Sequence, residues 1–151
     1  MKSLRQTMLV LLLCLTTAAG YSQGTSSQQP KLFANFPDEI ALSVNTLRDA
    51  FNATDGQFVS LQLNNNFNFS GTVISNMIKY HNLRSIVIES PLFNDAIFHL
   101  SQITNEDNTI TYVGRIINEN AFDGYQIKRD AAGNYLFQKF ETKRLLQDCN
   151  L

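Results

Sequence analysis

Between Gln57 and Phe140 the chain runs in short stretches of alternating apolar and polar residues, and the polar clusters between them are only about three to six residues long. Side chains of a strand point alternately to its two faces, so a period of two marks a half-buried strand. Parallel neighbours would need crossovers of a dozen residues or more, and these links are too short to supply them. The chain is therefore confined to an antiparallel meander.

Seven strands follow from the pattern. Phe58, Val59, Leu61 and Leu63 form the first, which ends at Asn64-Asn65-Asn66. Phe67, Phe69, Gly71 and Val73 alternate with Asn68, Ser70 and Thr72 in the second, which extends towards Ile78 and the turn Tyr80-His81-Asn82. Gly71 marks a bend or bulge within it. Arg84–Glu89 carries Ile86, Val87 and Ile88, apolar on both faces as in an interior strand, and Pro91 breaks it. Ala96–Ile103 and Thr109–Asn118 flank a four-residue loop, Asn105–Asn108; in the second of the pair Ile110, Tyr112, Gly114 and Ile116 share a face. Gly124–Arg129 and Asn134–Phe140 form a last hairpin across Asp130-Ala131-Ala132-Gly133.

Ahead of the strands, Leu32, Phe33 and Phe36 read as a short irregular packed segment before Pro37, and residues 39–44 as extended. Asn45 or Ser43 caps a predicted helix over Thr46–Asn52, where Leu47, Ala50 and Phe51 fall on one face. A second short helix is predicted over Glu141–Gln147. The expected fold is mainly β: a seven-strand antiparallel meander forming a strongly bent sheet, barrel or sandwich, with the first helix plugging one end or covering an open edge.

The N-terminus has a different character. Lys2 and Arg5 precede an apolar run from Met8 to Leu15, followed by Thr16, Thr17, Ala18, Ala19 and Gly20. Charge, apolar core and small residues in that order predict a secretory signal peptide over residues 1–22, cut after Gly20 or after Ser22. The apolar run is far shorter than the ~20 residues a membrane-spanning helix needs, so no stable membrane anchor is expected after cleavage. Leu13 before Cys14 does not fit a lipoprotein signal. Residues 23–31 are polar and predict a flexible linker, and 32–151 a single β-rich domain. The expected location is secreted or periplasmic, in a bacterial cell.

Charge and cysteine content narrow the function. Loss of Lys2 and Arg5 with the leader leaves ten basic against 13 acidic residues, a net charge of −3. A mildly acidic chain without a basic cluster lacks the means to hold nucleic acid or an anionic membrane surface. Cys149 alone remains after processing, so an internal disulfide is excluded and a possible reactive thiol is left near the C-terminus.

Motifs for catalysis are missing from the sequence. His81 sits in a turn and His99 in a strand, where a partly buried structural role is expected; neither has a second ligand two or four residues away. There is no Gly-x-Ser-x-Gly elbow, no glycine-rich phosphate cradle and no calcium-loop spacing, and the adjacent Glu106 and Asp107 belong to a hairpin loop. Neither an enzyme nor a cofactor is expected. Asn52-Ala53-Thr54 and Asn68-Phe69-Ser70 match the glycosylation acceptor, which has meaning only in a eukaryotic secretory pathway.

Aromatics are plentiful, with 11 Phe, 5 Tyr and no Trp. Tyr112, Tyr125 and Tyr135 fall on three consecutive predicted strands and so on one shared face. Exposed, they make a binding face for a peptide or sugar; buried, they fill the barrel with their hydroxyls at its rim, the commoner fate of strand tyrosines.

Phe58–Cys149 resembles the N-terminal propeptide domains of secreted bacterial zinc metallopeptidases. Val59-Ser60-Leu61-Gln62-Leu63 and Phe69-Ser70-Gly71-Thr72-Val73 match two of their strands, and Gly114-Arg115-Ile116 and Gly124-Tyr125-Gln126-Ile127 two later ones. The resemblance implies a propeptide-like inhibitor of a zinc metallopeptidase, with Cys149 as the zinc thiolate. The sequence departs from the family in having no His-Glu-x-x-His peptidase segment. Beside that alternative stand a carrier of a small apolar ligand and, as the leading expectation, a non-enzymatic exported domain that binds a protein or cell-envelope component through a sheet face or edge.

Overall fold

The structure is a computed structural model that describes residues 29–142. It holds eight strands: β1 (Glu39–Ala41), β2 (Phe58–Asn64), β3 (Phe67–Tyr80), β4 (Leu83–Ser90), β5 (Ala96–Thr104), β6 (Ile110–Ile117), β7 (Asp123–Arg129) and β8 (Tyr135–Glu141). A helix, α1 (Val44–Ala50), lies between β1 and β2, and a 3-10 turn at Pro91–Phe93 follows the break that Pro91 imposes. The strands form one antiparallel sheet in the order β1-β8-β7-β6-β5-β4-β3-β2, curled into a half-barrel. The seven-strand meander is thus present as β2–β8. The extended segment after Pro37 contributes an eighth strand by pairing with β8, Ile40 opposite Phe137.

Alternation sorts the residues onto two faces as the pleat requires. One paired row crosses five strands on the concave side: Val73, Ile88, Phe98, Ile116 and Tyr125, all buried. A parallel row on the convex side runs through Ser75, Val87, His99, Arg115, Gln126 and Gln138. At Gly71 the sheet leaves no room for a side chain, since a Cβ there would lie 2.1 Å from the Glu89 carbonyl oxygen. A register shift follows at once, between Val73 and Ser75, and bends β3 there.

Two pieces close the ends of this curl. Helix α1 buries Leu47 and Ala50, with Phe51 just after it, and Phe51 lies 6.3 Å from the Tyr112 ring. The helix begins two residues earlier than its predicted Thr46 start, after Ser43, whose side chain makes no capping hydrogen bond. At the other end the segment 29–38 forms a strap. Phe33, fully buried, has its ring centroid 5.1 Å from Tyr125, 5.4 Å from Phe93 and 6.3 Å from Phe67. Such offset and edge-on pairs stabilise beyond simple burial, by roughly 0.5–1.5 kcal/mol each.

The strap is also held by polar bonds. The buried Asp123 carboxylate accepts the backbone N–H groups of Leu32 (2.6 Å) and Phe33 (3.1 Å). Phe122 donates its N–H to the Pro30 carbonyl (2.9 Å), Gln29 its amide to the Glu119 carbonyl (3.0 Å), and Tyr125 its hydroxyl to the Pro37 carbonyl. Within the described part of the 23–31 linker, then, Gln29 and Pro30 are tied to the 118–122 loop. Apolar content did not foretell this because polar bonds do the tying. The predicted helix over 141–147 falls almost wholly outside the described residues, and Glu141 itself ends β8.

Candidate functional site

Tyr112, Tyr125 and Tyr135 do share a face, the concave one, and all three are buried. They therefore present no binding face to solvent. Their hydroxyls do structural work instead. Strands β6 and β7 pair only at Arg115–Gln126 and Ile116–Tyr125, so β6 splays from its neighbour before Arg115. The Tyr112 N–H in that splayed stretch is met by the Tyr135 hydroxyl at 3.0 Å, and the two rings sit edge to face at 5.8 Å. Burial raises the hydroxyl pKa of Tyr125 well above its ordinary value, with the Asp38 and Asp123 charges adding to the effect. Burial raises that of Tyr112 as well.

The remaining sequence candidates are scattered. His81 is exposed in the β3–β4 turn. His99 lies on the surface, on the convex row beside Arg115, and not inside with its neighbours Phe98 and Leu100. Strand parity is the reason: those two neighbours point inward and His99 points out. Partial desolvation of the imidazole, then the Arg115 charge, hold its pKa below 6.5. Cys149 lies outside the described residues. Among those residues no three His, Cys, Asp or Glu side chains are grouped to hold a metal ion, and no helix is long and apolar enough to cross a membrane.

Clefts open at the surface. One of about 510 Å³ lies between the strap and β7–β8 and includes Lys31, Asp38, Phe122, Lys139 and Phe140. Both its lysines are already engaged. The Lys139 ammonium is 3.1 Å from the Asp38 carboxylate and donates to the Phe36 carbonyl at 2.7 Å, and Lys31 sits 5.6 Å from the Phe122 ring centre.

A second groove, of about 500 Å³, runs between α1 and the outer edge of β2. Here the backbone itself is on offer. Val73 donates its N–H to the Gln57 carbonyl at 2.9 Å, so Gln57 faces β3. The register then carries on through Val59–Gly71 and Leu61–Phe69. Polar backbone groups alternate in direction along an antiparallel strand, which turns those of Phe58, Ser60 and Gln62 outward. The Gln62 carbonyl accepts a long 3.4 Å contact from the Thr46 hydroxyl; no strand pairs with this edge among the described residues. Thr46, Asp49 and Ala50 of α1 form the facing wall. Phe58, 61% exposed, stands at the open end.

The neighbouring overhang of β3 is a different kind of edge. From Ile74 to Tyr80 it carries exposed Ile74, Met77, Ile78 and Tyr80 beyond its pairing with β2. The Asp55 carboxylate takes the Asn76 N–H at 2.6 Å, and register shifts at Val73/Ser75 and Ile78/Tyr80 break its line. Bulges, a capping carboxylate and Lys79 are devices that blunt an edge against pairing. Over Phe58–Gln62 the β2 edge carries no register shift and no lysine; its own shift falls at the far end, between Gln62 and Asn64.

Sequence reasoning identified β2 but not its exposure. The signal was indirect: a helix of only seven residues precedes β2, too short to cover the whole of a seven-residue strand. No protein-family model, curated protein or solved structure matches the chain.

Proposed function

We propose that the chain is an exported, non-enzymatic β domain that binds a protein partner by strand addition at the outer edge of β2. The single observation that carries the reading is that edge: outward backbone groups at Phe58, Ser60 and Gln62 facing an open groove. In strand addition the main chain of the guest supplies hydrogen bonds, and the groove walls select its alternate side chains. Export is supported by the charged, apolar and small-residue order of residues 1–22. The alternative of a small apolar ligand inside the barrel gains no support from the concave side, which Phe33, Phe67, Phe69, Phe98, Tyr125 and Phe137 fill.

The test is a random-peptide display selection against the exported chain, followed by amide chemical-shift mapping of the best binders. The expected result is a set of extended peptides that perturb the amides of Phe58–Gln62. Binders that map only to other surfaces, or hydrolase turnover dependent on His99, would overturn the proposal.

A further inference from the structure

We infer that the guest of the β2 groove is an extended peptide segment carrying a cationic side chain, held with that cation against Asp49; this deepens the reading just given and rests on it. The backbone sets the form of the guest. Outward groups recur at Phe58, Ser60 and Gln62, every second residue, so an added strand of about five residues, roughly 16 Å long, matches the edge.

The wall sets its charge. Asp49 is the one charged residue among those lining the groove, it is exposed, and it has no ion-pair partner among the described residues. An added strand turns alternate side chains towards the helix, and a lysine or arginine there meets a carboxylate, whereas an acidic side chain meets repulsion. Phe58 at the open end offers an apolar surface to a guest side chain further along the strand. The rest of the lining is uncharged, with small residues such as Thr46, Ala50 and Asn52 on the helix side, and the Thr46 hydroxyl that contacts the Gln62 carbonyl marks the end where the guest must displace it.

The other free edge does not fit this guest. β1 is three residues long, against seven in β2, and too short to template an added strand.

The experiment uses the exported full chain and two terminally blocked five-residue probes, Val-Thr-Lys-Val-Val and Val-Thr-Glu-Val-Val, titrated by amide chemical shift. Shifts confined to Phe58–Gln62 and α1, with the lysine probe bound about three- to fivefold more tightly, are expected for one exposed ion pair. Raising the salt concentration narrows that gap. Asp49→Asn abolishes the preference, and Asp49→Lys inverts it. Both changes fall on an exposed helix position, so they leave the fold intact. Ser60→Pro removes an outward N–H and, with its hydroxyl, the bonds to Asn68 and Ser70 of β3; it weakens both probes alike, whereas Ser60→Ala, which loses only those hydroxyl bonds, does not.

Equal binding of the two probes at β2, or a preference that survives Asp49→Lys, overturns the cationic guest and leaves strand addition standing. Failure of both probes, together with failure of every display-selected peptide to shift Phe58–Gln62, overturns both.

Discussion

Phe33→Ala tests whether the strap belongs to the core. The ring is fully buried and meets four aromatic neighbours, Phe36, Phe67, Phe93 and Tyr125. Removing it loses the transfer free energy of the ring and opens a cavity that rigid aromatic walls fill poorly; such changes cost about 3–5 kcal/mol. A domain of this size has about 5–15 kcal/mol in total, so the variant loses a large part of its stability. With a urea slope of about 1–3 kcal/mol/M, the unfolding midpoint falls by roughly 2 M at an unchanged slope. Far-UV circular dichroism follows the transition, with tyrosine fluorescence as a second probe in a chain that has no Trp. Phe33→Leu, which keeps most of the volume, costs less than about 1.5 kcal/mol. Lys31→Ala on the exposed side of the strap stays within about 0.5 kcal/mol. A midpoint shift below about 0.5 M for Phe33→Ala would show that the strap does not contribute to the folded core, and the account of the closed end would fail with it.

Further outcomes follow from other contacts. Tyr135→Phe leaves the buried Tyr112 N–H without its acceptor and costs about 1–3 kcal/mol in the same urea assay, whereas Tyr112→Phe keeps that amide bonded and costs less. Gly71→Ala forces a methyl against the Glu89 carbonyl and destabilises by about 1–3 kcal/mol; a neutral result would mean that the β3–β4 spacing is looser than the structure has it. His99 has a folded pKa below its unfolded value, so its contribution is present above about pH 6.5 and is lost as pH falls. Urea midpoints between pH 5 and pH 7 will show a slope that His99→Gln reduces. Tyr125 has the opposite sign: its raised pKa gives stability that is full below about pH 10 and lost as pH climbs further. Tyr125→Phe therefore flattens alkaline unfolding.

Much of the fold was legible because strand parity writes itself into sequence. Phe67, Phe69 and Val73 against Asn68 and Thr72 place one face inside and the other outside without reference to any distant residue, and the structure keeps that assignment. The helix face of Leu47, Ala50 and Phe51 was legible for the same reason. What escaped depended on partners far along the chain. Asp123 reads as one more acid near a strand start, yet it binds two amides some ninety residues earlier. Tyr135 reads as core filling, yet its hydroxyl repairs a gap between two other strands. The candidate site was hidden in the same way. Whether a strand is an edge depends on where the sheet stops, and no residue of β2 states that the sheet stops there.

The location of function follows from what the interior already does. A half-barrel whose concave face is filled by phenylalanines and tyrosines keeps no internal binding volume there, so the binding proposed above has to use its outer surfaces. Of these, the convex face mixes Ser75, His99, Arg115 and Gln126 with aliphatics such as Val87, Ile97 and Ile117. The cleft by the strap has its lysines committed, and the β3 overhang is capped and bulged. A sheet that closed completely would have no edge to manage, and one left open normally covers or charges its edges. Here β1 is short, β3 is blunted, and β2 lies beside a helix that stands off from it by a groove. On the reading proposed above, the outward amides and carbonyls along Phe58–Gln62 are the groups an added strand would bind.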